Sequence, residues 1–273
     1  MDKADSSRQV SKWKTLDRGI LSVIFRKLNV EDLTMGASGV CISWFLAAHN
    51  KSLWNTVDLD KFRQTDKDLR LNELRYRIVF TENFKDSDIS ETRRSLRNIT
   101  KFSRSAPVNL VFGCCSSLDD EILMFAAASM PNIEKLVLPR WCYLSKNSFG
   151  FAFSKWKNLK TLIVAHDVPL TETFEFQIVG ENCSNLTNLK YLGGVLLLIT
   201  GLQNLAILNV SHCKEFDDET VTMDNIVQAA TQKRVRFILC SNNCTCRNKP
   251  WLEGLTTYGS ESWRNDEIKE LEF

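Results

Sequence analysis

The side chains in this 273-residue chain best suited to ligate a metal or to act as nucleophile and base are nine cysteines and three histidines. Cys240, Cys244 and Cys246 form a C-x3-C-x-C array. Zinc wants four such ligands in a tetrahedron, so Cys213 or His212 would have to supply the fourth. No second cysteine pair at finger spacing exists, so no metal site is assigned here and no cofactor is expected. A zinc-binding module around these thiols stays only as a lesser alternative. The adjacent Cys114 and Cys115, at a strand end, suit packing in a core. His166 and His212 each lie four residues after a leucine, Leu162 and Leu208, that recurs along the chain. That spacing marks a repeat position rather than a catalytic pair. No serine or cysteine sits in a nucleophile-elbow context, there is no phosphate-binding glycine loop, and Gly113, Gly193 and Gly194 suit turns. The sequence therefore speaks against an enzyme, and no catalytic residue is assigned.

The elements around these residues belong to an ordinary globular chain, 44% hydrophobic and 25% charged. Its net charge of +2 is too small to make nucleic acid or an acidic membrane the expected partner. Residues 61–104 are locally basic, with twelve Lys or Arg against seven Asp or Glu, but the signs interleave as on a solvated face. The longest notable apolar run, Val195 to Ile199, falls far short of the ~20 residues that span a bilayer. Met1 to Val10 is polar and has no signal-peptide core. Nine cysteines without a secretion signal predict reduced thiols and a cytoplasmic or nuclear protein.

Between Leu16 and Trp54 the pattern is helical. Ile20, Leu21, Ile24, Phe25 and Leu28 follow the spacing of one apolar helix face. Glu31 and Asp32 suit the positive end of a second short helix. Gly36 and Gly39 precede a third, on which Val40, Trp44, Ala47 and Ala48 share a face. Three helices in about forty residues bury little surface and need a partner or a neighbouring domain to complete their core. The order Leu16, Ile20-Leu21, Ile24-Phe25, Leu28, Asp32-Leu33, Val40-Cys41, Trp44 and Leu53-Trp54 closely resembles an F-box over that motif's whole length. Asp17 stands where this family usually has proline; an aspartate can cap the same helical turn through its side chain.

From Leu110 onward the chain repeats. Two leucine-like residues three apart, then a third two further on, occur at Ile133, Leu136, Leu138, at Leu159, Leu162, Val164, at Leu186, Leu189, Tyr191 and at Leu205, Leu208, Val210. Leu110 and Phe112 keep part of an earlier copy. The central positions 110, 136, 162, 189 and 208 are spaced by 26, 26, 27 and 19 residues. A period of 20 to 29 with this pattern is the signature of a leucine-rich repeat, in which each copy gives one strand and one outer helix. Thr56 to Leu59 alternates like a strand and suits a first rung, while Leu69 to Phe80 and Ile89 to Phe102 fit helix or strand equally. Ile122 to Ala128, after the capping cluster Asp119-Asp120-Glu121, and Phe149 to Trp156 suit outer helices. Val221 to Thr231 suits a capping helix. The 19-residue spacing points to a short or missing repeat. Side chains alternate along a strand, so Asn109 and Val111, Lys135 and Val137, Thr161 and Ile163, Asn188 and Lys190, and Ile207 and Asn209 are expected to form an open strip.

The predicted fold is thus α/β. Residues 1–12 are expected to form a disordered tail, 13–59 the three-helix F-box, 60–105 a linking or first-repeat region, 106–232 a short solenoid of parallel strands with outer helices, and 233–273 a C-terminal tail containing cysteine and tryptophan. Along nearly its whole length the chain resembles plant F-box proteins with leucine-rich repeats. The resemblance implies a substrate receptor of a Skp-cullin-F-box ubiquitin ligase, with the F-box on a Skp-family adaptor, cullin recruited through it, and the repeats on an unidentified protein target. Leu16, Ile20, Leu21, Ile24, Phe25, Leu28, Leu33, Val40 and Trp44 are the expected adaptor-facing or bundle-core set. Arg140, Trp141, His166 and His212, on loops after the strands, are the expected target-binding residues. The alternative is an adaptor-bound scaffold or decoy outside ubiquitination.

Overall fold

A computed structural model of the chain describes residues 12–28, 30–59, 86–112, 118–138, 144–164, 174–191, 202, 204–209 and 231–238. The predicted elements at Leu69 to Phe80 and Val221 to Ala230 lie outside them. Helix α1 (Arg18–Phe25), a wide π-helical turn (Asp32–Gly36), a tight 3-10 turn (Ala37–Gly39) and helix α2 (Ile42–Ala48) make the N-terminal bundle. Asp17 caps α1 as expected, its carboxylate accepting from the Gly19 amide at 2.7 Å. A Cβ on Gly19 would stand 2.9 Å from that carboxylate, so glycine keeps the cap open. Val40 precedes α2 rather than sharing its face, because Cys41 is fully extended and breaks the helix there.

Beyond the bundle the chain alternates strand and helix. The strands are β1 (Thr56–Asp58), β2 (Asn109–Val111), β3 (Lys135–Leu138), β4 (Thr161–Val164), β5 (Asn188–Tyr191), β6 (Ile207–Asn209) and β7 (Arg236–Ile238). They form one parallel sheet in strict chain order. Helix α3 (Asp86–Ser103) settles the ambiguity at Ile89 to Phe102, and α4 (Asp120–Ser129), α5 (Lys146–Lys155) and α6 (Phe174–Asn182) follow β2, β3 and β4. Consecutive parallel pairing requires a crossover on one face each time, which is the repeat architecture read from the leucine spacing. Val57 serves as the first rung, and β7 adds a last one within residues whose sequence carries no leucine pattern.

The central leucines form the inner ladder. Val57, Leu110, Leu136, Leu162, Leu189 and Leu208 pair across the sheet and are all buried. Ile122, Leu123 and Ala126 of α4 and Phe149, Ala152 and Phe153 of α5 close the core from the helical side. The cap of α4 is the predicted one, Asp119 accepting from the Ile122 amide at 2.7 Å.

Polar ladders join successive repeats at positions the leucine pattern does not show. The side-chain amides of Asn132, Asn185 and Asn204 donate to the carbonyls of Ser105, Lys157 and Ser184 in the preceding repeat. The Trp156 indole donates to the Met130 carbonyl at 3.0 Å, and the Cys183 thiol points at the Trp156 carbonyl at 3.8 Å. The 19-residue repeat stacks like the others: Asn188, Leu189 and Lys190 lie in register with Ile207, Leu208 and Asn209, and Asn204 keeps its bond at 2.6 Å. Its shortening falls on residues between β5 and β6, while the sheet runs through unbroken.

Candidate functional site

The apolar spacing on α1 predicts a buried face of Ile20, Leu21, Ile24, Phe25 and Leu28. The structure turns that face toward Ser22. Leu21, Phe25 and Ser22 are buried, Ile24 and Leu28 are half-buried, and Ile20 is 52% exposed. At 100° per residue, Ile20 lies a quarter turn or more off a face centred between Leu21 and Ser22. The Ser22 hydroxyl is satisfied there, donating to the Arg18 carbonyl at 2.9 Å and accepting from the Asn50 amide at 2.9 Å. Leu33 is buried, while Leu16 and Trp44 are half-buried against the core. Of the nine residues in the predicted adaptor or core set, Ile20 and Val40 alone are exposed.

Other residues complete the exposed set. Among the described residues, nine large hydrophobic side chains stand exposed, and eight of them lie between Trp13 and Leu46. Besides Ile20 and Val40 these are Trp13, Val23, Met35, Ile42, Phe45 and Leu46, with Ile42 the most open at 79%. Ile42, Phe45 and Leu46 line one side of α2, whose opposite side buries Ala47 and Ala48. Exposed apolar side chains scattered singly need no explanation, whereas eight on one small bundle make it the candidate interaction surface. The sequence carries this signal as large apolar residues placed off the buried face of their helix, such as Val23 two residues beyond Leu21.

The bundle is held stiffly beneath that surface. Trp44 sets its ring edge-on to Phe25 at 5.5 Å, and its indole donates to the Trp13 carbonyl at 2.8 Å. Trp54 is buried and donates to the Ala48 carbonyl at 2.7 Å. Phe102 of α3 meets the rings of His49, Phe45 and Trp54, which ties the bundle to the repeats. Arg94 pairs with Glu31 at 3.0 Å, and the neighbouring Arg93 reaches Glu121 of α4 at 2.6 Å. Such exposed pairs contribute at most about 1 kcal/mol each, so the aromatic contacts dominate the junction.

The concave face of the sheet differs from the open strip expected of it. Asn109, Lys135, Asn188 and Ile207 are half-buried, but Thr161 is buried. The second member of every pair is closed off: Val111, Val137, Ile163, Lys190 and Asn209 are all at most 6% exposed. One row of the strip from β2 to β6 is therefore buried, and the other, Thr161 apart, stays partly open. Arg140, Trp141, His166 and His212, like Cys114, Cys115, Cys213, Cys240, Cys244 and Cys246, lie outside the described residues.

Among the described residues, two titratable groups are shifted. Burial works against ionisation of Asp120, but bonds from the Ser148 hydroxyl at 2.6 Å and the Ser145 amide at 2.8 Å prevail and hold its carboxyl below the usual range. That carboxylate clips the first turn of α4 to the first turn of α5. Burial pushes the Cys183 thiol up to about 12, against a small opposing effect of Lys157. A thiol so placed is protonated and inert at neutral pH. Among the described residues no group of three or more metal-ligating side chains converges, and no helix is long and apolar enough to cross a membrane.

Comparison with known proteins agrees with this geometry. No family model matches the chain. It is 44% identical to an F-box protein of Arabidopsis thaliana over all of both chains, and 25% identical to an F-box/LRR-repeat protein of the same plant over 99% of each. The first alignment runs over 335 positions, 62 more than the 273 residues of this chain. A sugar phosphate isomerase/epimerase from Parabacteroides distasonis is similar over 64% of each chain at 9% identity, but its TM-score of 0.24 bears on neither fold nor chemistry. With an F-box bundle that exposes its apolar side, a parallel repeat sheet behind it, and full-length identity of 44%, the chain belongs to the plant F-box proteins of the leucine-rich-repeat class.

Proposed function

We propose that the chain is the target-recognition subunit of a Skp-cullin-F-box ubiquitin ligase. The observation that carries this reading is the concentration of exposed apolar side chains on the bundle, from Ile20 and Val23 of α1 to Ile42 and Leu46 of α2. A surface of that kind gains stability when a largely apolar partner covers it, at about 25 cal/mol per Å² removed from water. A Skp-family adaptor fits that description, and membership of the F-box proteins supports it. The repeats would hold a protein target, with Arg140, Trp141, His166 and His212 as its contacts on the loops beyond the strands. The protein itself would break or form no bond. It would raise the local concentration of the target's lysines beside a charged conjugating enzyme.

The packing of Phe102 into the bundle supports that positional role, because a receptor that delivers its target must keep the two ends in fixed relation. Co-expression of the full chain with an adaptor and a cullin tests the reading. A complex of all three is expected. Recovery of the adaptor without the cullin would contradict the ligase reading and favour an adaptor-bound scaffold.

A further inference from the structure

Helix α3 carries charges that its own packing does not use. From Thr92 to Leu118 the chain holds five basic residues and no acidic one, so the interleaving of signs over residues 61–104 stops at Glu91. Leu96, Ile99 and Ser103 bury one side of the helix, and Phe102 meets the rings of the bundle. Arg94, Arg97 and Lys101 share the other side at i, i+3 and i+7, all exposed, and the exposed Arg104 follows directly on the helix. At 1.5 Å per residue the four span about 15 Å. Arg94 pairs with Glu31 of the bundle, whereas Arg97, Lys101 and Arg104 meet no carboxylate among the described residues.

The fold does not account for this stripe. Like charges three or four residues apart on a helix repel, as Arg94 with Arg97 and Arg97 with Lys101 do, so the stripe works against the helix unless an anion faces it. Arg104 and Ser105 have φ of 48° and 62°, in the left-handed region that glycine enters without strain, so the turn out of α3 favours glycine over arginine. The neighbouring surface has the same sign. Lys14, Arg18, Arg26, Lys27 and Lys51 are exposed on the bundle, where Asp17 is taken up in capping α1 and Glu31 in its pair with Arg94. Phe102, next to Lys101, touches Phe45, one of the exposed apolar side chains of the bundle, so the stripe adjoins that surface. A protein seated on those side chains comes within reach of the stripe, and its complement there is an acidic segment. A net charge of +2 and a single short stripe fall below the broad basic face that holds nucleic acid.

We propose that α3 extends the adaptor-docking surface, with Arg97, Lys101 and Arg104 taking an acidic segment of the adaptor that seats on the bundle. This rests on the adaptor reading of the bundle and adds a second, electrostatic contact to it. The apolar side chains then govern how long the complex lasts, and the stripe governs how fast it forms.

Stopped-flow association of a Skp-family adaptor with the full chain tests it, the parent being compared with the triple variant Arg97→Glu, Lys101→Glu, Arg104→Glu. At about 50 mM salt the variant is expected to associate about 10-fold more slowly, and at about 500 mM the two rates should converge as the charges are screened. Arg104→Gly removes one charge where the backbone favours glycine. It should melt no lower than the parent yet associate about 2-fold more slowly at low salt. Association of both folded variants at the parent's rate at low salt would overturn the proposal and leave the adaptor reading standing. No binding of the adaptor by the folded parent would overturn both. Unchanged adaptor association with weakened binding of single-stranded DNA would overturn it in favour of a nucleic-acid contact.

Discussion

Single side chains carry the bonds that hold one repeat to the next, and their effects are separable by pH and by reactivity. Asp120 has its pKa lowered from 3.8 by bonds that outweigh its burial. A carboxylate with a depressed folded pKa stabilises fully above its unfolded value and loses that contribution as pH falls through the folded one. Asp120→Asn should therefore melt a few degrees below the parent at pH 7, with the gap closing below about pH 4. Thermal melts at the two pH values check it. Cys183, buried and pushed up to about 12, should resist iodoacetamide at pH 8 in the folded chain, while the half-buried Cys41 reacts first. Mass spectrometry of the labelled peptides distinguishes them. Asn185→Ala removes a bond of 2.9 Å to the Lys157 carbonyl and should cost about 1 kcal/mol in urea unfolding.

Elements were legible wherever burial and spacing told the same story. The central leucines named every strand from β2 to β6, and Asp119 named the start of α4, because apolar periodicity and an N-cap are local signals. β7 was not legible, since its three residues, Arg236 to Ile238, pair without a leucine pattern around them. The buried face of α1 lies about one position from the one the apolar spacing predicts: Ser22 is small enough to be buried while it bonds to Arg18 and Asn50, and hydrophobicity alone gives no credit for that. The same blind spot hid Val23, Ile42 and Leu46, which are as apolar as core residues and differ only in where the helix turns them. Leu28 packs against the bundle core, so Leu28→Asp would damage folding and binding together. Leu46→Asp, on the open side of α2, should leave the circular dichroism spectrum unchanged while weakening adaptor binding.

At the scale of the molecule, one core runs from Leu21 in the bundle to Val235 beside the last strand. The F-box and the repeats therefore share one core, and Phe102 of α3 packs on its bundle end. Phe102→Ala should loosen the junction and cost about 3 kcal/mol, near the lower end for an aromatic truncation because Phe102 is only half-buried. The sheet stays in register across the 19-residue step, with Asn188, Leu189 and Lys190 paired to Ile207, Leu208 and Asn209. A shortened repeat is thus compatible with unbroken stacking. On the proposed function, the exposed side of the bundle is an adaptor interface. Isothermal titration of a Skp-family adaptor into the full chain and into Ile42→Asp tests it most directly. Tight, stoichiometric binding to the parent is expected, with a loss of at least ~100-fold, about 2.7 kcal/mol, in the folded variant. Equal affinity for both, or no binding to the folded parent, would contradict it.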